Sequence, residues 1–218
     1  MKILSNVLGQ KQILVIDALR LSLEIERAMN SRLWRVLRGI ERLDDASYPR
    51  PVTVLNAIGL AWQLIDTTHR IRGLADQVRG LQHKLPEYQL FQRNTASTKA
   101  FRNFFRHLNS EIPKLPAGTN PIIGVLSWVT KVPSKSRTIV YGTFPTDGNF
   151  HSLVVDTWTG RFASQLQFTA GQKDLDIDNI HKEVTRFRTF FSKWLVNNRL
   201  LGQSDLRPLV LNFYIQNL

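Results

Sequence analysis

The chain has 218 residues and no cysteine, so it can form neither a disulfide framework nor a thiolate metal site. Acidic residues are also in short supply, with 17 Asp and Glu against 29 Lys and Arg. Several catalytic signatures are missing as well. There is no phosphate-cradling glycine loop, no Gly-x-Ser-x-Gly elbow and no His-Glu-x-x-His pair. No apolar run approaches the ~18 residues of a membrane span. Residues 1–10 carry one lysine and a short apolar run broken by Ser5 and Asn6, unlike the long apolar core of a secretory signal. The expectation is a soluble, cytoplasmic protein with no cofactor, no metal and no membrane partner.

An apolar content of 43% is enough for a full core, in one domain or two small ones. The net charge of +12 is spread along the chain, not gathered in a tail. Residues 1–113 hold 17 basic against 10 acidic residues, and residues 114–218 hold 12 against 7. Such a field attracts polyanions in a salt-dependent way.

Apolar residues recur at intervals of three and four over residues 9–44, which predicts one helix of about 50 Å, longer than a compact bundle needs. One end is expected to project or to pack on a second subunit. A second helix is expected over 52–84, with Gly59, Gly73 and Gly80 either weakening it or marking close contacts, and with Pro86 ending it. A third is expected over 95–112, stopped by Pro113 and Pro116. The period then changes. Segments 122–132, 137–144, 150–158 and 161–169 are rich in β-branched and aromatic residues, and turn chemistry such as Thr159-Gly160 separates them. They predict a four-stranded antiparallel meander. A last helix is expected over 178–198, and residues 209–215 are either an extra strand or a docking segment. The fold class is therefore α+β: an antiparallel helical bundle, residues 1–113 and 174–200, with a β-meander, residues 119–172, inserted before the last helix. Residues 201–218 form a tail.

One hexapeptide invites a chemical reading: Arg102-Asn103-Phe104-Phe105-Arg106-His107. Arginine grips phosphate and histidine exchanges protons near neutral pH. On a helical projection Phe101, Phe104, Phe105, Leu108 and Ile112 form the core stripe. Arg102, Arg106, Asn103 and His107 lie at about 100° to 240° from Phe101, on the outward face. The bare Arg-to-His spacing carries no information in so arginine-rich a chain, while the amide after the arginine adds some. A solvated helix face remains the alternative. On the second helix Asp66, His69 and Arg70 stand at i, i+3 and i+4, as a surface ion pair or as support for a site on the adjacent helix.

The hexapeptide resembles the Arg-polar-(three to five residues)-His motif of the HEPN superfamily. The resemblance covers mainly residues 52–112, where the Trp62…Asp66…His69-Arg70 helix precedes Phe101-Arg102-Asn103…His107-Leu108. Those proteins are helical bundles, many of them metal-independent endoribonucleases of toxin and phage-defence systems, others nucleotide binders without catalysis. The resemblance implies that Arg102 holds the scissile phosphate, His107 acts as general acid or base, and Asn103 orients the histidine or the phosphate, with Asp66, His69, Arg70 and Arg106 in support. It also implies a homodimer in which two copies complete one site, RNA or a nucleotide as ligand, and possible pairing with an antitoxin. Alternatives are a non-catalytic RNA- or nucleotide-binding module and a structural, partner-binding dimer.

Other candidates weigh less. Asp174-Leu175-Asp176-Ile177-Asp178 resembles the opening of a calcium loop, but Asn179 and Thr185 stand where glycine and glutamate belong, so helix capping fits better. His151 and Asp156 fall on opposite faces of a predicted strand. His181 has no metal-ligand partner at suitable spacing. Phe144, Phe150, Trp158 and Phe168, with Arg137 and Arg161, could make a base-stacking platform, although a sheet core explains such aromatics equally.

Overall fold

The computed structural model describes residues 9–43, 47–81, 85–115, 123–132, 135–141, 154–156, 158–171, 173–198 and 200. They form six α-helices and one four-stranded antiparallel sheet, an α+β fold that is mostly helical.

The spine is α1 (Gln10–Glu41). Its buried residues, from Gln12 through Leu19, Leu23, Leu33 and Leu37 to Ile40, follow the three-four spacing along its whole length. Neither end projects. The Gln12 side chain donates to Gln77 O (3.1 Å) and accepts from Arg79 N (2.9 Å), which ties the start of α1 to the chain leaving α2 (Pro51–Ala75). At the other end Arg137 donates to the terminal carbonyls of Ile40 and Leu43, at 2.8 and 2.9 Å. The length spans from the far end of α2 to the sheet.

The second helix is shorter than its periodicity predicts. It ends at Ala75, and the chain turns through Gly80, whose φ of 80° lies in the left-handed region. Gly59 and Gly73 are not close-contact points, since a Cβ on either would meet nothing within 4 Å. Pro86 starts a helix where the sequence pattern has it end one. It occupies the first turn of α3 (Pro86–Asn94), where a missing N–H costs nothing. Phe91 of α3 stacks on Phe187 of α6 (Ile177–Asn197), with centroids 4.2 Å apart.

The predicted third helix is divided. α4 (Ser97–Arg106) stops at His107, whose φ and ψ of −112° and 26° are not helical, and α5 (Leu108–Glu111) and a short 3-10 turn follow. The break rotates the downstream residues off the projected core stripe. Ile112, beyond the break, is 43% exposed; within α4 Phe101 and Phe104 are buried, while Phe105 is half-exposed against the Trp62 ring.

The sheet comprises β1 (Gly124–Val129), β2 (Ser136–Tyr141), β3 (Leu166–Ala170) and β4 (Lys173–Asp176), in the order β2-β1-β3-β4. It is not a meander. β1 is central, and Leu126 lies opposite both Ile139 and Phe168. The strand expected over 150–158 contributes only an isolated bridge, Val155 to Phe162, among its described residues. The true fourth strand is the acidic segment read as a cap. It does both, because Asp176 ends β4 and accepts from Asn179 N at 2.8 Å to start α6. Between β3 and β4, Gly171 (φ 59°) lies so close to the Phe104 ring that a Cβ would stand 2.8 Å from it. Strand β3 is docked on α2 and α4 through the Trp62, Phe101 and Phe168 rings, whose centroids lie 5.1 to 6.1 Å apart. One apolar cluster runs through helices and sheet together. No helix among the described residues is long and apolar enough to cross a membrane, and the expected segment over 209–215 lies outside the described residues.

Candidate functional site

Local sequence fixes how α4 stands. Its buried side is Thr98, Phe101 and Phe104, and its entry is held by Arg72 of α2, which donates to Gln92 O (2.7 Å) and Thr95 Oγ1 (3.1 Å). That contact lays α4 beside α2 and brings Arg102 to Asp66. The Arg102 Nε donates to Asp66 Oδ1 at 3.0 Å, and Arg70 Nη2 donates to Asp66 Oδ2 at 3.0 Å. One carboxylate thus holds two guanidinium groups side by side. Arg102 is engaged only through Nε, so its two terminal nitrogens have no partner among the described residues.

His69 lies one residue before Arg70 on the same helix. Its Nδ1 is buried and has no hydrogen-bond partner among the described residues. Burial, then the charges of Arg102 and Arg72, push its pKa down; Asp66 opposes this and Lys99 adds to it. Burial pushes the Asp66 carboxyl up, but the hydrogen bonds and charges of Arg102 and Arg70 outweigh it and hold the group below its ordinary value. The result is a cationic cluster whose charge opposes protonation of the imidazole.

The hexapeptide is only partly assembled. Asn103, Arg106 and His107 are exposed. His107 caps the end of α4: its N–H donates to Asn103 O (3.0 Å) and its carbonyl accepts from Ser110 and Glu111 N–H groups (2.9 Å each). Electrostatically it neighbours Glu111, together with Lys114 and Lys173. No hydrogen bond or ion pair among the described residues joins the His107 side chain to Arg102 or Asn103. Within one chain, the histidine that accompanies Arg102 is His69. Neither the 36-residue separation of Asp66 and Arg102 nor any local spacing signals their pairing.

The remaining candidates are structural or lie elsewhere. Asp174 pairs with Thr169 across the β3–β4 hairpin, and no group of three potential metal ligands occurs among the described residues. His181 Nδ1 lies 2.9 Å from Glu26 Oε1, a half-buried contact that no local spacing signals. Polar Gln12, Glu26 and Asn30 on the core face of α1 were the available signal, since polar groups there need buried partners. Of the proposed aromatic platform, Phe168 is core, Arg137 caps α1, Trp158 is 97% exposed, and Phe144 and Phe150 lie outside the described residues. His151 also lies outside them.

Comparisons with protein-family models, curated proteins and solved structures return no match. The resemblance to the HEPN superfamily therefore rests on the residues alone.

Proposed function

We propose that the protein binds RNA, with Arg102 and Arg70 taking phosphate groups on the surface shared by α2 and α4. The carrying observation is the engagement of Arg102 through Nε. Asp66 fixes the plane of the guanidinium and leaves its terminal nitrogens as a fork for two phosphate oxygens. Lys99 and the exposed Arg106 extend the cationic surface, and the net charge of +12 adds long-range attraction. Binding of a single-stranded RNA oligonucleotide should weaken steeply with salt. Arg102→Ala should lower affinity and reduce the salt slope by about 1. An unchanged affinity and slope in Arg102→Ala would remove this reading.

A second reading, metal-independent cleavage of the HEPN kind, is favoured by the neutral His69 beside Arg102. An unprotonated imidazole can take the 2′-hydroxyl proton while the 2′-oxygen attacks phosphorus. The bond to the 5′-oxygen then breaks, and that oxygen leaves with a proton from a second group, for which exposed His107 of a second copy is suited. The products are a 2′,3′-cyclic phosphate and a 5′-hydroxyl end, and Arg102 balances charge on the phosphoryl oxygens. RNA incubated with wild type, His69→Ala and His107→Ala tests it. Loss of cleavage in both variants supports the step, whereas RNA bound and left intact by wild type leaves only the binding function.

A further inference from the structure

A second cationic feature lies at the end of α1. Arg38, Glu41 and Arg42 of that helix and its exit, with Thr130, Lys131, Val132, Lys135 and Arg137 of the β1–β2 hairpin, line a cleft of about 200 Å³. Five of its side chains are basic and one is acidic. The acid is already satisfied: Glu41 accepts from Arg38 Nη1 (2.7 and 3.0 Å), from the Trp128 indole (3.0 Å) and from Lys131 N (3.5 Å). The carbonyl end of a helix normally repels anions, but here Arg137 covers the Ile40 and Leu43 carbonyls. Arg38 is held further by stacking 4.9 Å from the Trp34 ring centroid. Arg42 and Lys131 are exposed at the mouth, and their charged ends have no ion pair among the described residues.

We propose that this cleft is a phosphate-binding site, separate from the Asp66 cluster and independent of the function proposed above. Arg42 and Lys131, its two exposed cations, suit a phosphate dianion better than a single carboxylate. Its volume falls below the ~300–1,000 Å³ of pockets that enclose a whole drug-sized ligand. The phosphate therefore enters and the rest of the molecule stays outside, Arg42 and Lys131 closing on the phosphate oxygens. The same chemistry is offered by the end of a nucleotide and by an RNA backbone, which the experiment separates.

Isothermal titration of the full chain with inorganic phosphate, with ATP and with a ten-nucleotide RNA, at constant ionic strength, tests the site. Wild type should bind inorganic phosphate saturably. Arg42→Glu/Lys131→Glu should weaken that binding at least tenfold, and the charge-matched Lys11→Glu/Lys193→Glu, at exposed positions away from the cleft, should leave it unchanged. Tighter binding of ATP that the double substitution abolishes identifies a nucleotide terminus; tighter RNA binding lost in the same way identifies a backbone phosphate. Circular dichroism checks the fold of the double variant, and if it is unfolded Arg42→Ala/Lys131→Ala takes its place with the same expected loss. No saturable phosphate binding, or equal binding in the double variant, overturns the proposal.

Discussion

Glu41 and Asp66 both accept from arginine, and burial gives them different work. Glu41 is 10% exposed at its side chain and accepts from a guanidinium, an indole and a backbone amide, so it joins α1 to the sheet. Asp66 is 45% exposed and, among the described residues, accepts only from two guanidinium groups. At Glu41 the donors have nowhere else to go. At Asp66 water can replace the carboxylate, so the ion pairs contribute little to stability and act mainly by orienting Arg102.

The sharpest way to break this comparison is to remove each carboxylate. Glu41→Ala strands the Trp128 indole, which is fully buried, and should cost about 3 kcal/mol in chemical denaturation. Asp66→Ala should cost under ~1 kcal/mol. Similar losses in the two variants would show that burial does not separate them. The two sides of α4 repeat the contrast. Phe104→Ala should cost about 3 kcal/mol, because the ring is buried against Gly171, whereas exposed Arg106→Ala should stay within about 0.5 kcal/mol.

A smaller effect distinguishes the Asp66 cluster by pH. Folding lowers the His69 pKa, so the unfolded chain binds the proton more readily. The stability His69 contributes is complete above its unfolded value, about 6.5. It declines as pH falls through the lower, folded value. Denaturation midpoints of wild type should fall through that window more than those of His69→Gln; parallel profiles would contradict the placement of His69. The smallest expected signal comes from a third carboxylate, Asp76, which pairs with Tyr88. Burial, and then Asp76, push the phenol up to about 12. Tyr88→Phe should remove one late-titrating phenolate from the ultraviolet absorbance and leave the earlier ones in place.

The helices were legible where apolar residues recur at three and four over many turns, as along α1 and α6. Boundaries failed where a single residue has two uses. Pro86 can stop a helix or start one, and His107 fits a projected helix although its backbone leaves it. The sheet was legible in kind, since β1, β2 and β3 fall within segments of high β propensity. Its order was not, because pairing of β1 with both β2 and β3 depends on partners distant in the chain. Lys173–Asp176 is too short and too acidic to read as a strand, and it forms one by pairing along β3.

By itself the sequence determined the cationic surplus, the amphipathic helices and the sheet-forming middle, all of which follow from residue type and local spacing. It also set Arg102, Asn103, Arg106 and His107 apart from the core residues of their helix. Tertiary structure decided which groups meet. It joined Arg102 to Asp66 and placed His69 in that cluster, left His107 at a helix end, and folded five basic side chains around Glu41. Periodicity within a helix assigns a residue to a face, whereas a contact across 36 or 90 residues depends on how the faces pack.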